Sequence, residues 1–221
     1  MTKENLEQMV TEGEGLLLEF KHRLPESDRI AREVTALANT SGGHLLIGVA
    51  DDGNLSGVKD PEEEMYALNH ALEKCCTPEI TLKSEYIKVS RTRTVVVVKI
   101  PLSPIRPHYV RDLSSHQKSV FVRYRDMCVA ASREARKLMR RLPDTENVLI
   151  ELGEKERLLL HLLEQTGRVS VYSFAKYAKI HLGRASRIIV RMTRARILLH
   201  HIDLNEDYFT AGEALQSSSR K

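Results

Sequence analysis

Apolar positions change their period several times along the chain, and each change marks an element. Leu6, Met9 and Val10 fall at helical spacing between Glu4 and Glu12, with Gly13 as a stop. Leu16, Leu18 and Phe20 then alternate with Leu17, Glu19 and Lys21, the period of a strand, so Glu19 and Lys21 share a face. Ser27 is the expected N-cap of a helix whose inner stripe is Ile30, Ala31, Val34, Leu37 and Ala38. Asn39-Thr40-Ser41-Gly42-Gly43 ends that helix. Leu45 to Val49 is apolar throughout, as expected of a strand buried at the centre of a sheet. Asp51-Asp52-Gly53-Asn54 is a turn signal, followed by a short return through Leu55 to Val58.

Pro61 opens a further helix with Met65, Leu68, Ala71, Leu72 and Cys75 inward. Two strand-like runs follow, at about 80–89 and 93–100, joined through Ser90-Arg91-Thr92. A proline-rich crossing from Pro101 to Pro107 leads to short strands at 108–110 and 119–124, and Ser132 caps a basic helix ending near Arg141. These elements predict an α+β sheet domain over residues 1–141. Residues 142–150, beginning Leu142-Pro143-Asp144, read as a linker. Beyond them Leu158, Leu159, Leu162 and Leu163 line a helix from Glu154 to Gln165. Val171, Phe174 and Ala178 line a second over 170–179, and a third runs from Arg184 to Arg196. Ile197-Leu198-Leu199 and Tyr208-Phe209-Thr210 flank a polar turn, as in a β-hairpin. Three helices and a hairpin predict a winged helix-turn-helix domain over 151–215, with a disordered tail over 216–221.

The 221 residues suit one large or two small domains, and a net charge of +4 says little about partners by itself. The distribution of charge says more: no acidic residue occurs between Gln165 and Ile202. On the third helix of that region Arg184, Arg187, Arg191 and Arg194 recur at spacings that place them on one face. Like charges there repel, so the natural counter-charge is a polyanion. Four phosphate contacts would give a salt slope of about −3.6. Arg196, Lys176 and, in the first domain, Arg123 complete the candidate nucleic-acid-binding set. A basic solvated helix in a dimerisation domain is the competing reading. With few aromatics and no Trp, duplex is favoured over a stacked single strand. Reading a palindromic site would call for a homodimer.

Three cysteines without CxxC spacing support neither zinc nor a disulfide framework, and fit a reducing cytosol. No run approaches the about 20 apolar residues that span a bilayer, so a cytoplasmic protein with no membrane partner is expected. Gly42-Gly43 is not part of a GxxxxGK[ST] motif, so an ATP-binding loop is unsupported, and close packing at a helix stop is the expected role. His108, His116, His200 and His201 are scattered and are read as surface or phosphate-side residues.

Glu14, Glu19 and Asp51 are carboxylates at the edges of apolar segments, with Lys21 close by. Physically the group admits three readings: a Glu19–Lys21 ion pair, a Mg²⁺ or Mn²⁺ site with oxygen ligands, or positioning of nucleic acid without chemistry. The pattern Glu14-x4-Glu19-Phe20-Lys21, followed by Ala38-Asn39-Thr40-x-Gly42-Gly43-x3-Ile47-Gly48-Val49-x-Asp51-Asp52-Gly53-x3-Gly57-Val58, resembles the Schlafen AlbA-type domain. Pro107-His108-Tyr109, Phe121-Val122-Arg123 and Ala131-Ser132 resemble that domain's second half. The resemblance spans about residues 1–141 and implies a nucleic-acid-binding protein, either a DNA-binding transcriptional regulator or a nuclease of structured RNA. For a nuclease, it implies that Glu14, Glu19 and Asp51 hold a divalent metal and act in catalysis, with Lys21 near the scissile phosphate.

Overall fold

A computed structural model describes residues 1–140 and 152–212. They divide into two compact units between Ala131 and Ser132, ten residues before the boundary expected from the sequence. The expected linker and tail lie outside the described residues.

In the first unit α1 (Lys3–Glu12) is followed by β1 (Leu18–Lys21), α2 (Ser27–Thr40), β2 (Gly43–Ile47), α3 (Pro61–Cys75) and β3 (Cys76–Thr77). Then come β4 (Lys83–Lys88), β5 (Thr94–Ile100), β6 (Tyr109–Arg111), β7 (Lys118–Ser119), β8 (Phe121–Tyr124) and β9 (Met127–Ala130). The main sheet has the order β1-β2-β5-β4, with β1 parallel to β2 and the other pairs antiparallel. A parallel pair needs a crossover, and α2 supplies it.

Side-chain alternation sorts the two faces of this sheet. Leu45, Ile47, Val96, Val98 and Ile100 pack with the inner stripes of α2 and α3. Leu18, Phe20, Leu46, Val95 and Val97 pack on the other side with Leu6 of α1. The uniformly apolar run in β2 is therefore the run of a strand covered on both faces. Ser27 is not an N-cap: α2 begins on it, Glu26 holds the cap position, and no side chain bonds to the helix start. Between α2 and β2 the chain turns at Gly42, whose N–H donates to Leu37 O at 2.8 Å. A Cβ on Gly43 would lie 2.3 Å from Leu17 O, so backbone packs on backbone there, as the glycine pair predicted.

A small sheet β3-β6-β7 and a hairpin β8–β9 complete the unit. The hairpin turns through Arg125 in the left-handed region. Strand β9 is absent from the sequence-based expectation because Met127-Cys128-Val129-Ala130 has no inside-outside contrast: its middle residues are half-buried and its ends exposed.

The second unit contains α4 (Arg133–Met139), α5 (Glu154–Thr166), α6 (Val171–Ala178), α7 (Leu182–Arg194) and the antiparallel pair β10 (Leu198–His201) and β11 (Tyr208–Ala211). Helix α4, expected in the first domain, groups here instead. Leu159, Leu162 and Leu163 of α5, Phe174 and Ala178 of α6, and Ala185, Ile188, Ile189 and Met192 of α7 form the core with Leu198 and Phe209. Val169 bridges Phe209, tying the α5–α6 connection to the hairpin. Gly167 stops α5 in the left-handed conformation, and Ser170 and Ser173 cap α6 reciprocally.

Candidate functional site

Strand β1 points Leu18 and Phe20 at α1, which turns Glu19 and Lys21 to the opposite face, beneath α2. Glu19 is 6% exposed there. One of its oxygens pairs with Lys21 Nζ, and the other accepts from Arg123 Nη1 at 2.6 Å. Lys21 Nζ also lies 3.3 Å from Glu33 Oε2 on α2. Arg123, 1% exposed, donates from Nη2 to Gly15 O at 2.5 Å, and its backbone N–H donates to Thr40 Oγ1 at 2.8 Å. Its guanidinium thus fastens β8 to β1 and the loop before it. Arg123 is a buried structural cation and has no surface to offer nucleic acid, which corrects the binding role expected for it.

Glu14 accepts the Phe20 N–H at 2.7 Å. Partial burial raises its pKa against the pull of that hydrogen bond, and the charges of Glu19 and Asp51 add to the rise. Glu14, Glu19, Lys21 and Asp51 therefore do share one electrostatic neighbourhood. Burial works against the Lys21 ammonium, but Glu19 and Glu33 outweigh it and hold its pKa above the ordinary lysine value. Burial raises the Glu33 pKa, with Lys21 opposing and Glu19 adding. Glu33 and the anchoring role of Arg123 were missed in the sequence. The available signal was position: Glu33 stands three residues after Ile30 and four before Leu37, both on the buried stripe of α2.

A hard divalent cation needs free carboxylate oxygens that converge. Here both Glu19 oxygens are held by cationic side chains and Glu14 is turned to the Phe20 amide. Among the described residues no three His, Cys, Asp or Glu side chains are grouped to hold a metal ion. So arranged, Glu19 has no oxygen free for Mg²⁺ or Mn²⁺.

The family model described as Schlafen, AlbA_2 matches residues 14–132, more than half of the chain. The chain belongs to the Schlafen AlbA_2 family. Among solved structures, the DIP2311 protein from Corynebacterium diphtheriae is similar at 20% identity and a TM-score of 0.39, over 54% of this chain and 25% of that one. This AlbA_2 protein thus spans about a quarter of that relative's length. The N-terminal domain of a RecG-related protein from Nitrosomonas europaea is similar at 17% identity and a TM-score of 0.41, over 60% of this chain and 93% of that one. No curated protein gives a match.

The AlbA_2 match ends where the second unit begins, and the basic candidates other than Arg123 lie in that unit. Helix α7 buries Ala185, Ile188, Ile189 and Met192, which leaves the arginine side outward. Arg184 and Arg187 are exposed, as are Lys176 on α6 and Arg196 just beyond α7. The four-arginine face does not act as one set, however. Arg191 Nη2 pairs with the buried Glu156 of α5. Arg194 Nη2 donates to Lys137 O at 2.6 Å and to Arg140 O at 3.4 Å, holding the end of α4. Spacing placed these side chains on one face, but it could not show which had internal partners.

His116 is exposed, as expected, but the other three histidines differ from expectation. His108 is fully buried, its Nδ1 is 2.7 Å from Pro78 O, and burial pushes its pKa down. His200 and His201 sit half-buried within β10, stacked on Phe209 and Tyr208. Among the described residues no helix is long and apolar enough to cross a membrane.

Proposed function

We propose that this AlbA_2 protein binds duplex nucleic acid through its second unit, as a DNA-binding transcriptional regulator. In this reading α5, α6 and α7 form a winged helix-turn-helix with β10–β11 as the wing. The observation that carries it is the exposure of Arg184 and Arg187 on a helix that contains no acidic residue. Among the described residues neither guanidinium has an acidic partner; two such adjacent groups repel one another, and phosphodiester oxygens relieve that repulsion while accepting their hydrogen bonds. Binding to phosphates releases condensed counterions, so affinity falls as salt rises.

The metal-dependent nuclease reading is set aside because Glu19 is engaged by Lys21 and Arg123. Their ion pairs favour a structural role for the acidic group, with charge balance at the centre of the first unit. Structured RNA incubated with the protein in Mg²⁺ or Mn²⁺ should remain intact; cleavage abolished by Glu14→Gln would restore the nuclease reading.

Replacing Arg184→Glu together with Arg187→Glu tests the binding surface. Both positions are exposed, so the thermal midpoint should hold while duplex binding in moderate salt is lost. A folded double variant with wild-type affinity would overturn this function.

A further inference from the structure

Helix α4 changes what α7 can present. It lies along α7 on the side next to the arginines, where Lys137 Nζ donates to Ser186 Oγ at 2.7 Å and Ser186 bonds in turn to Glu134. Ser186 is 2% and Val190 6% exposed, although neither lies on the stripe that packs into the unit's core. A helix inserted in a major groove needs its outward side clear to reach base edges. Here part of that side is occupied by a second helix.

The covering helix is itself basic. Arg133, Arg136 and Arg140 recur at spacings of three and four, and Glu134 is its one acid. Glu134 accepts a hydrogen bond from Ser186 of α7. Arg133 and Arg136 are exposed. The bonds of Lys137 and Glu134 with Ser186, and of Arg194 with the Lys137 carbonyl, set the two helices side by side. Lys137, whose pKa burial pushes down, is further depressed by Arg133 of its own helix and by Arg187 of α7. Two cationic helices packed side by side concentrate charge that a solvated surface would disperse.

We propose that α4 and α7 together form one phosphate-binding surface, on which Arg133 and Arg136 of the first and Arg184 and Arg187 of the second contact successive phosphodiester groups of a duplex. The inference rests on the nucleic-acid reading above and makes it specific. Contact is with the backbone, and sequence selection falls to the hairpin or to the shape of the DNA. The same bonds that hold α4 on α7 fix the spacing of the two arginine pairs.

The test is the salt dependence of binding to a short labelled DNA duplex, read by fluorescence anisotropy with the full chain. Four contacts predict a log–log slope of about −3.6, and two a slope of about −1.8. Over a fourfold rise in salt this is roughly a hundredfold loss of affinity against roughly tenfold. Arg133→Ala with Arg136→Ala should halve the slope, and so should Arg184→Ala with Arg187→Ala. Arg133→Lys with Arg136→Lys should keep the slope, which separates lost charge from a misfolded helix. If the α4 alanine pair leaves affinity and slope unchanged while the α7 pair reduces them, the composite surface is wrong and the function stands. If neither pair alters binding, both fail.

Discussion

Glu19 and Arg123 face each other across the first unit with almost no access to water. Removing one partner of such a pair leaves the other charged and uncompensated, at a cost of about 3–5 kcal/mol. Glu19→Ala and Arg123→Ala should each lower stability by that amount in urea denaturation of the protein. A loss of about 1 kcal/mol or less, the value of an exposed pair, would contradict the buried anchor. It follows that Glu19→Ala is a poor probe of any chemistry, because it acts first on the fold. The period-2 pattern of β1 did reveal that Glu19 and Lys21 share a face, and the ion pair between them was one of the open readings. That Arg123 would come to the same carboxylate was illegible, since the two lie more than a hundred residues apart and only the placement of β8 joins them.

At the level of elements, the N-terminus of α4 is tied to the hairpin through one carboxylate. Asp207 Oδ2 accepts from Ser132 Oγ at 2.5 Å and lies 2.6 Å from His200 Nε2. Burial would raise the Asp207 pKa, but the bonds from His200 and Ser132 outweigh it and lower it from the ordinary 3.8. A depressed folded pKa gives stability that is present above the unfolded value and lost as pH falls through the folded one. The wild-type advantage over Asp207→Asn in urea should therefore hold at neutral pH and vanish as pH drops below 3.8. A difference that does not change with pH would contradict the assignment. Most elements were legible because their apolar periods are long and consistent. Helix α7 is one case: its core stripe survives intact. What its spacing could not carry is the partner of each arginine, so Arg191 and Arg194 were grouped with Arg184 and Arg187 although Glu156 and the carbonyls of α4 hold them.

For the whole molecule, the division at Ala131 assigns α4 to the basic unit. Proline and polar residues after Leu142 suggested a later boundary, because composition marks a connection and not the helix a segment packs against. The fold class of an α+β protein with an N-terminal sheet was readable from the sequence, and so was its Schlafen AlbA_2 membership, carried by the glycine turn at Gly42-Gly43 and the run through β2. In the function proposed above, cationic helices bind a phosphate backbone while the acidic group serves the fold. The most direct test of that function is the affinity of the full chain for duplex DNA across a salt series, run once in chelator and once in Mg²⁺. The prediction is a linear log–log fall in chelator with a slope of about −3.6, and an intact duplex in both series. Binding that is indifferent to salt, or that appears only with the divalent ion, would contradict it.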